Sequence, residues 1–231
     1  MNRFMTPRLL AMANLVPEGA AVIDVGSDHA YLPIYLVGKS RVIRALATDI
    51  HAGPLRRSAV NVKRYGLAGK IALQKADGLC DVDTEGFDTI VIGGMGGELI
   101  EKILRQSKLP AEVQLILQPM TAVAELRAYL IGNGYRIVQE VLAQEGEKLY
   151  TVLLAVQGED TPYTALELLL GRKTKDDALY PALLEREKAR MQKQLAGLMQ
   201  AAHPPKERIS FLQNMLAELH RRIAEGHTNR H

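Results

Sequence analysis

From Ala20 to about Val156, short apolar runs alternate with amphipathic stretches, the pattern of repeated strand–helix units and of a mainly parallel sheet covered by helices. The apolar runs predict strands at 21–25, 42–48, 71–75, 87–92 and 113–117. Helices are predicted between them at about 32–37, 54–65, 98–105 and 123–131, with Gly66 and the Gly132-Asn133-Gly134 run as stop signals. The pattern then changes. Residues 135–142 and 149–156 both have strand character, and only residues 143–148 separate them. A parallel crossover needs a dozen or more residues, so these two strands are expected to form an antiparallel hairpin at the end of the sheet.

Five parallel strands closed by such a hairpin differ from an all-parallel dinucleotide-binding sheet. They match the Rossmann-like, seven-stranded α/β sheet of class I methyltransferases that use S-adenosylmethionine (SAM). The run Gly158-Glu159-Asp160-Thr161-Pro162 reads as an exit from the sheet, which gives a first domain over 1–157 and a second over 158–231. In the second, Leu184, Lys188, Met191, Leu195 and Leu198 are spaced 4, 3, 4, 3, and Ile209, Leu212, Leu216, Leu219 and Ile223 are spaced 3, 4, 3, 4. These are heptad-like seams on two helices flanking the breaker His203-Pro204-Pro205, and they predict a coiled-coil-like α-helical hairpin with its basic residues outward.

Composition narrows the class. With 231 residues, 47% hydrophobic and 24% charged, the chain matches globular proteins and excludes disordered, collagen-like and disulfide-scaffold readings. A single cysteine, Cys80, allows no internal disulfide, and no Cys/His spacing fits zinc, so no metal is expected. The N-terminus carries Arg3 and Arg8 but no long apolar region with a cleavage site, and no run approaches the ~18 apolar residues of a membrane span. A cytoplasmic protein with no membrane partner is expected. The net charge of +3 announces little by itself, but it is uneven: residues 186–231 hold nine Lys/Arg against four Glu, an excess of 9 − 4 = +5, leaving 3 − 5 = −2 for the remainder. Aromatic residues make up 5% with no Trp, which argues against a base-stacking sheet.

The strongest local signal is Val22-Ile23-Asp24-Val25-Gly26-Ser27-Asp28-His29-Ala30-Tyr31-Leu32-Pro33, an apolar strand running into small and acidic residues and then a helix. A loop at the carboxyl end of a first parallel strand lies where open α/β sheets bind ligands. It has one glycine where a pyrophosphate loop has three, and Asp24 and Asp28 would repel phosphate but attract the amino-acid end of a cationic sulfonium cofactor. That favours SAM over NAD; a helix-capping Asp28 in an ordinary turn is the alternative. Asp49, 25 positions after Asp24 and followed by Ile50, ends the second strand, where an acid can accept both ribose hydroxyls; Asp77, with Gly78, ends the third, where a carboxylate can take an adenine amino group. Acids after strands are common, yet three at consecutive strand ends line one rim.

Gly93-Gly94-Met95-Gly96-Gly97 follows the fourth strand and reads either as bare backbone against a ligand or as a tight-packing turn. It lacks the Asn/Asp/Ser-Pro-Pro-aromatic motif of enzymes that methylate exocyclic amines, which points to ring-nitrogen or other chemistry, since a ring nitrogen such as adenine N1 already has an exposed lone pair and needs mainly alignment. Gln118-Pro119 ends the fifth strand with an amide able to contact a base edge or to serve structure. His29 fits a general base, a base contact or a structural loop histidine. Cys80 has no evident activating base. Arg56-Arg57 and Lys63-Arg64 make one helix basic, either as a solvated face or for phosphate contact.

At these residues the chain resembles a particular family. Gly26-Ser27-Asp28-His29-Ala30-Tyr31-Leu32-Pro33, Gly94-Met95-Gly96-Gly97 and Leu115-Ile116-Leu117-Gln118-Pro119 look like signature blocks of the bacterial tRNA (adenine-N1) methyltransferases that modify adenine 22. The resemblance covers almost the whole first domain and extends to the helical appendage. It implies SAM-dependent formation of 1-methyladenosine in the D-arm region of tRNA, with no obligate protein partner. It also implies that Asp24, Gly26, Ser27, Asp28, Asp49, Ile50, Asp77, Gly78, Gly93, Gly94 and Met95 hold SAM. Asp28, His29 and Tyr31 are then the expected catalytic residues, with the Asp28 carboxylate either stabilising the cationic product or binding the SAM amino group. Gln118, Pro119, Arg56, Arg57, Arg186 and Lys193 are the expected tRNA contacts. Two other readings stay open: a SAM methyltransferase of a small molecule or protein whose hairpin dimerises, and a non-catalytic RNA-binding adaptor.

Overall fold

The strongest apolar runs become fully buried strands at the centre of a sheet. In the computed structural model, which describes residues 4–172, 174–201 and 203–228 (the last four by backbone only), the first unit runs α1 (Pro7–Leu15), β1 (Ala20–Val25), α2 (Tyr31–Gly38), β2 (Val42–Asp49), α3 (Ala52–Arg64), β3 (Ile71–Lys75), β4 (Thr89–Met95), α4 (Gly97–Gln106), β5 (Gln114–Pro119), α5 (Val123–Gly132), β6 (Tyr135–Glu145) and β7 (Lys148–Gln157). Arg3 and Arg230 lie outside the described residues. The strands form one sheet in the order β3-β2-β1-β4-β5-β7-β6. β3, β2, β1, β4 and β5 pair in parallel, and β7 lies antiparallel between β5 and β6. This is the expected seven-stranded methyltransferase sheet. Ile90, Val91 and Ile92 of β4 and Leu115, Ile116 and Leu117 of β5 are completely buried, as strands covered on both faces must be.

Three details differ from the pattern reading. The apolar stretch before Pro17 is a helix: Thr6 caps α1, its side chain accepting from Leu9 N, and Pro7 sits in the first turn. Ala11, Met12, Ala13 and Leu15 of α1 are buried, and the helix packs against β5, β6 and β7. Second, β4 and β5 run past their expected ends to Met95 and Pro119, because Gly93 and Met95 continue to pair with Gln118 and Pro119 through an irregular step. Third, the connection between the last two strands contracts from six residues to Gly146-Glu147, with Gly146 in the left-handed region at φ 59°. A buried ion pair, Arg127 Nε to Glu140 Oε1 at 2.7 Å, ties α5 to β6.

The chain divides into Met1–Pro162 and Tyr163–His231, a few residues beyond the expected 157/158 boundary. Residues 158–162 go with the sheet: Gly158 N donates to Gly134 O at 2.9 Å and Ile137 N to Asp160 Oδ2 at 3.3 Å. The second unit contains α6 (Ala165–Leu170), α7 (Tyr180–Met199) and α8 (Lys206–Thr228). Thr164 and Glu167 form a capping box on α6, and hydrogen bonding to Arg172 pulls the Glu167 carboxyl down to about 2. α7 and α8 pair around Leu184, Met191, Leu212, Leu216 and Leu219, as their spacing predicts. The buried face is wider than a two-helix seam, because α6 packs on both and Leu183 and Met215 are buried too. Lys188, Leu195, Leu198, Ile209 and Ile223 are only half-buried, whereas Glu187 is buried between Arg186 and Arg190, each 2.9 Å away. Among the described residues, no helix is long and apolar enough to cross a membrane.

Candidate active site

Because β1 to β5 are parallel, their carboxyl ends open on one edge, and the loops that follow them share it. Asp24 sits inside this edge. Burial removes its carboxyl from water and pushes its pKa from the ordinary 3.8 to about 7, against the opposing hydrogen bond that the Ser27 hydroxyl donates to it. Gly26 N and Ser27 N both donate to Thr48 O at 2.9 Å, which fastens the loop after β1 to β2. The loop then makes two non-glycine left-handed steps, at Asp28 (φ 48°) and Ala30 (φ 56°), that turn it into α2.

Asp49, itself buried, braces this turn: its Oδ2 accepts from Asp28 N at 3.3 Å and its Oδ1 from His51 N at 2.8 Å. Each oxygen retains a lone pair, so Asp49 can still accept from hydroxyls. Ile50 beside it is exposed. Asp77, after β3, is exposed and has no side-chain partner among the described residues. Gly78 follows at φ 62°, with Ile103 packed where a side chain would stand. The Asp28 carboxylate is exposed as well; Arg57 Nη2 lies 3.0 Å from its Oδ1 and His29 Nε2 lies 3.4 Å from its Oδ2. His29 stacks on Tyr31 with centroids 5.1 Å apart, and Tyr31 stacks on Phe4 at 5.0 Å.

The glycine run has a mixed role. A side chain at Gly93 would come within 2.6 Å of the Met12 sulfur, and one at Gly97 within 2.5 Å of Ala122 O, so these two serve tight packing. Gly94 at φ 77° is open, and the Met95 methyl occupies the position a Gly26 side chain would take. Gln118 does not present its amide to a ligand. It is fully buried, its Oε1 accepts from Gly94 N at 3.0 Å and Arg8 Nη1 at 3.2 Å, and its Nε2 donates to Pro119 O at 2.9 Å. The reason is the extension of β4 and β5, which draws residues 118–119 into the ladder. Arg56 is exposed on α3. Arg186 and Lys193 lie on α7 in the second unit; Arg186 is engaged by Glu187, and Lys193 is exposed with no ion pair among the described residues.

Four residues of this edge escaped the sequence reading. Arg8 reaches it from α1, 3.0 Å from the Met120 sulfur and 5.1 Å over the Tyr150 ring, and would have been found had the Thr6-Pro7 helix start been recognised. Phe4 carries no sequence signal. Ser58 and Asn61 of α3 donate to Asp28 O at 2.7 Å and His29 O at 3.0 Å. Their only signal was polarity at helical spacing. The edge thus offers one buried carboxyl poised near neutrality, three further carboxylates and stacked aromatic rings, a set able to receive a cation bearing hydroxyls beside a planar base.

Comparison with known proteins agrees with this chemistry. A profile described as a methyltransferase domain matches residues 5–153. The tRNA (adenine(22)-N(1))-methyltransferase of Bacillus subtilis (strain 168) is 37% identical over 170 residues, covering 72% of this chain and 71% of that protein. The crystal structure of the B. subtilis M1A22 tRNA methyltransferase TrmK superposes with a TM-score of 0.79 at 32% identity, over 95% of each chain. Streptococcus pneumoniae Sp1610, in a structure with S-adenosyl-L-methionine, gives a TM-score of 0.83 at 30% identity, over 95% of this chain and 100% of its own.

Proposed function

The chain belongs to the tRNA (adenine(22)-N(1))-methyltransferase family, and we infer from this and from its site that it methylates N1 of adenine 22 in tRNA at the expense of SAM. Acting on tRNA, it works in the cytoplasm. The residues present fit SAM. Asp24 with Gly26 and Ser27 suits the cationic amino-acid end, Asp49 retains acceptor capacity for ribose hydroxyls, and Asp77 with Gly78 suits the adenine amino group. Bound there, SAM supplies an electrophilic methyl group on a sulfonium centre.

The target base must leave its stacked position to reach the edge. Exposed Phe4, stacked on Tyr31 and through it on His29, offers apolar surface for an extruded purine. Adenine N1 attacks with its own lone pair, so no base has to remove a proton first. The ring becomes cationic as the N–C bond forms and the sulfonium–methyl bond breaks, its electron pair staying on sulfur as a neutral thioether, and the exposed Asp28 carboxylate, on its left-handed backbone, opposes the charge on the ring. Exposed Arg56 on α3 and Lys193, Lys206, Arg208 and Arg221 on α7 and α8 provide phosphate contacts.

The observation that carries this reading is the run of carboxyl groups at consecutive strand ends with the exposed Asp28 carboxylate beside aromatic rings. The test is nucleoside mass spectrometry of unmodified tRNA transcripts incubated with protein and SAM. The wild type yields 1-methyladenosine from transcripts with A22 and none after A22 is changed to G. Asp28→Ala loses about 100-fold or more in turnover, within the range of a lost charge-stabilising group. Absence of 1-methyladenosine with every transcript refutes the reading.

A further inference from the structure

Helix α3 reaches the loop after β1 with three side chains. Arg57 Nη2 lies 3.0 Å from Asp28 Oδ1, the Ser58 hydroxyl donates to Asp28 O at 2.7 Å, and Asn61 Nδ2 donates to His29 O at 3.0 Å. The three holds are unequal. Arg57 and Asp28 are both more than half exposed, and an ion pair between such groups contributes little because solvent and salt compete for both partners. Ser58, in contrast, is 1% exposed, and its bond fixes backbone rather than a mobile side-chain tip.

The peptide units held by Ser58 and Asn61 are the ones the loop distorts to present Asp28. Asp28 and Ala30 both have positive φ without being glycine, an arrangement that persists only where surrounding contacts over-determine it. From the sheet side, Asp49 Oδ2 takes Asp28 N, and Thr48 O takes Gly26 N and Ser27 N. Those bonds fix where the loop starts but leave the Asp28–His29 peptide free to rotate, and the His29–Ala30 peptide is held within the loop only at its N–H, which donates to Ser27 O at 3.0 Å. Ser58 and Asn61 hold the carbonyls of these two peptides, and with them the direction in which the Asp28 carboxylate leaves the backbone.

We propose that Ser58 and Asn61 are positioning residues for methyl transfer, clamping the Asp28–His29 loop from the helix side so that the Asp28 carboxylate faces the reacting base. The proposal rests on the tRNA methyltransferase reading above. Neither side chain touches the substrate; both act through the aim of Asp28. A misplacement of about 1 Å at a reacting centre is enough to cost on the order of 100-fold in rate.

The experiment compares wild type, Ser58→Ala and Asn61→Ala by steady-state turnover on the A22 transcript, SAM affinity by calorimetry, and thermal unfolding. In each variant kcat is expected to fall about tenfold or more, while KM for tRNA and the Kd for SAM stay within about twofold, because the loop remains tethered to Thr48 and Asp49. An unchanged kcat in both variants overturns the proposal. So does a parallel loss of SAM affinity and kcat, which a general loss of structure produces. Asn61 is half-buried, so Asn61→Ala gives a reading even if Ser58→Ala unfolds. A wild type that forms no 1-methyladenosine strikes the functional reading instead, which keeps the two failures distinct.

Discussion

Replacing Asp24 by asparagine separates what this carboxyl costs the protein from what it does for ligand binding. Burial raises its pKa from 3.8 to about 7, so the ionised form is disfavoured by roughly 3 pKa units, or about 4 kcal/mol at ~1.4 kcal/mol per unit. The folded protein therefore binds this proton more tightly than the unfolded chain does. Its stabilising contribution is complete below about pH 4 and fades as pH rises toward 7, beyond which the ligand-free fold carries a buried charge. Asn is neutral at every pH, nearly isosteric, and still accepts from the Ser27 hydroxyl. At pH 5, already above the unfolded value of 3.8, the wild type has lost roughly 1–2 kcal/mol of this contribution, so Asp24→Asn should melt only a few degrees higher. At pH 8 the difference should widen to about 8–16 °C, given ~2–4 °C per kcal/mol for a chain of this size and a loss near 4 kcal/mol. Differential scanning calorimetry without ligand across pH 5–8 measures this. In the same variant SAM affinity should fall more than tenfold, and wild-type binding should tighten from pH 6 to 8 with proton release visible in buffers of different ionisation enthalpy. A variant that melts below wild type at pH 8, or by the same difference at pH 5 and 8, refutes the buried-charge account.

Three further outcomes follow from the geometry. Arg127→Met leaves Glu140, whose side chain has no solvent exposure, without its 2.7 Å guanidinium, and should cost about 3–5 kcal/mol in urea unfolding; adding Glu140→Leu should restore most of it, and a single-variant loss under ~1 kcal/mol would contradict the pairing. Gly97→Ala pushes a methyl toward Ala122 O at 2.5 Å and Thr121 O at 2.9 Å, both backbone atoms, so a loss of about 1–3 kcal/mol with reduced turnover is expected, and an unchanged melting temperature would show that the β5–α5 connection yields. Replacing Lys193 and Arg208 together by Gln should raise KM for tRNA severalfold, flatten the salt dependence of tRNA binding by a log–log slope of about 1–2, and leave SAM affinity alone; an unaltered salt slope would remove the hairpin from phosphate contact.

The parallel strands were legible because a strand buried on both faces needs a near-continuous apolar run, and 21–25, 42–48 and 113–117 come close, interrupted only by Asp24, by Arg44 and Thr48, and by Gln114. The terminal hairpin was legible by a length argument. Positions set by neighbours rather than by local composition were not. Gly93 carries no strand propensity, yet ladder pairing with Gln118 of β5 keeps it in β4 and pulls Gln118 inward. The candidate site divides along the same line. Asp24, Asp28, Asp49 and Asp77 stand at strand ends, where topology alone assigns them to one edge. Arg8, Ser58 and Asn61 reach that edge from helices, and only the packing of α1 and α3 brings them there.

The charge distribution acquires a different meaning once partners are known. Of the nine Lys and Arg residues over 186–231, Arg186, Lys188, Arg190 and Arg222 are engaged by Glu187, Glu185 and Glu218, and Arg230 is outside the described residues. Lys193, Lys206, Arg208 and Arg221 have no ion pair among the described residues, and neither do Arg56, Lys63 and Arg64 of α3. Cations open to phosphate are therefore present in both units, which makes the hold on tRNA salt-dependent. Discrimination between adenines then falls to the edge of the sheet, where N1 must reach a methyl donor beside Asp28. Helix α3 belongs to both tasks, since it bears exposed Arg56, Lys63 and Arg64 and, one helical face away, the Ser58 and Asn61 donors that aim the Asp28 loop.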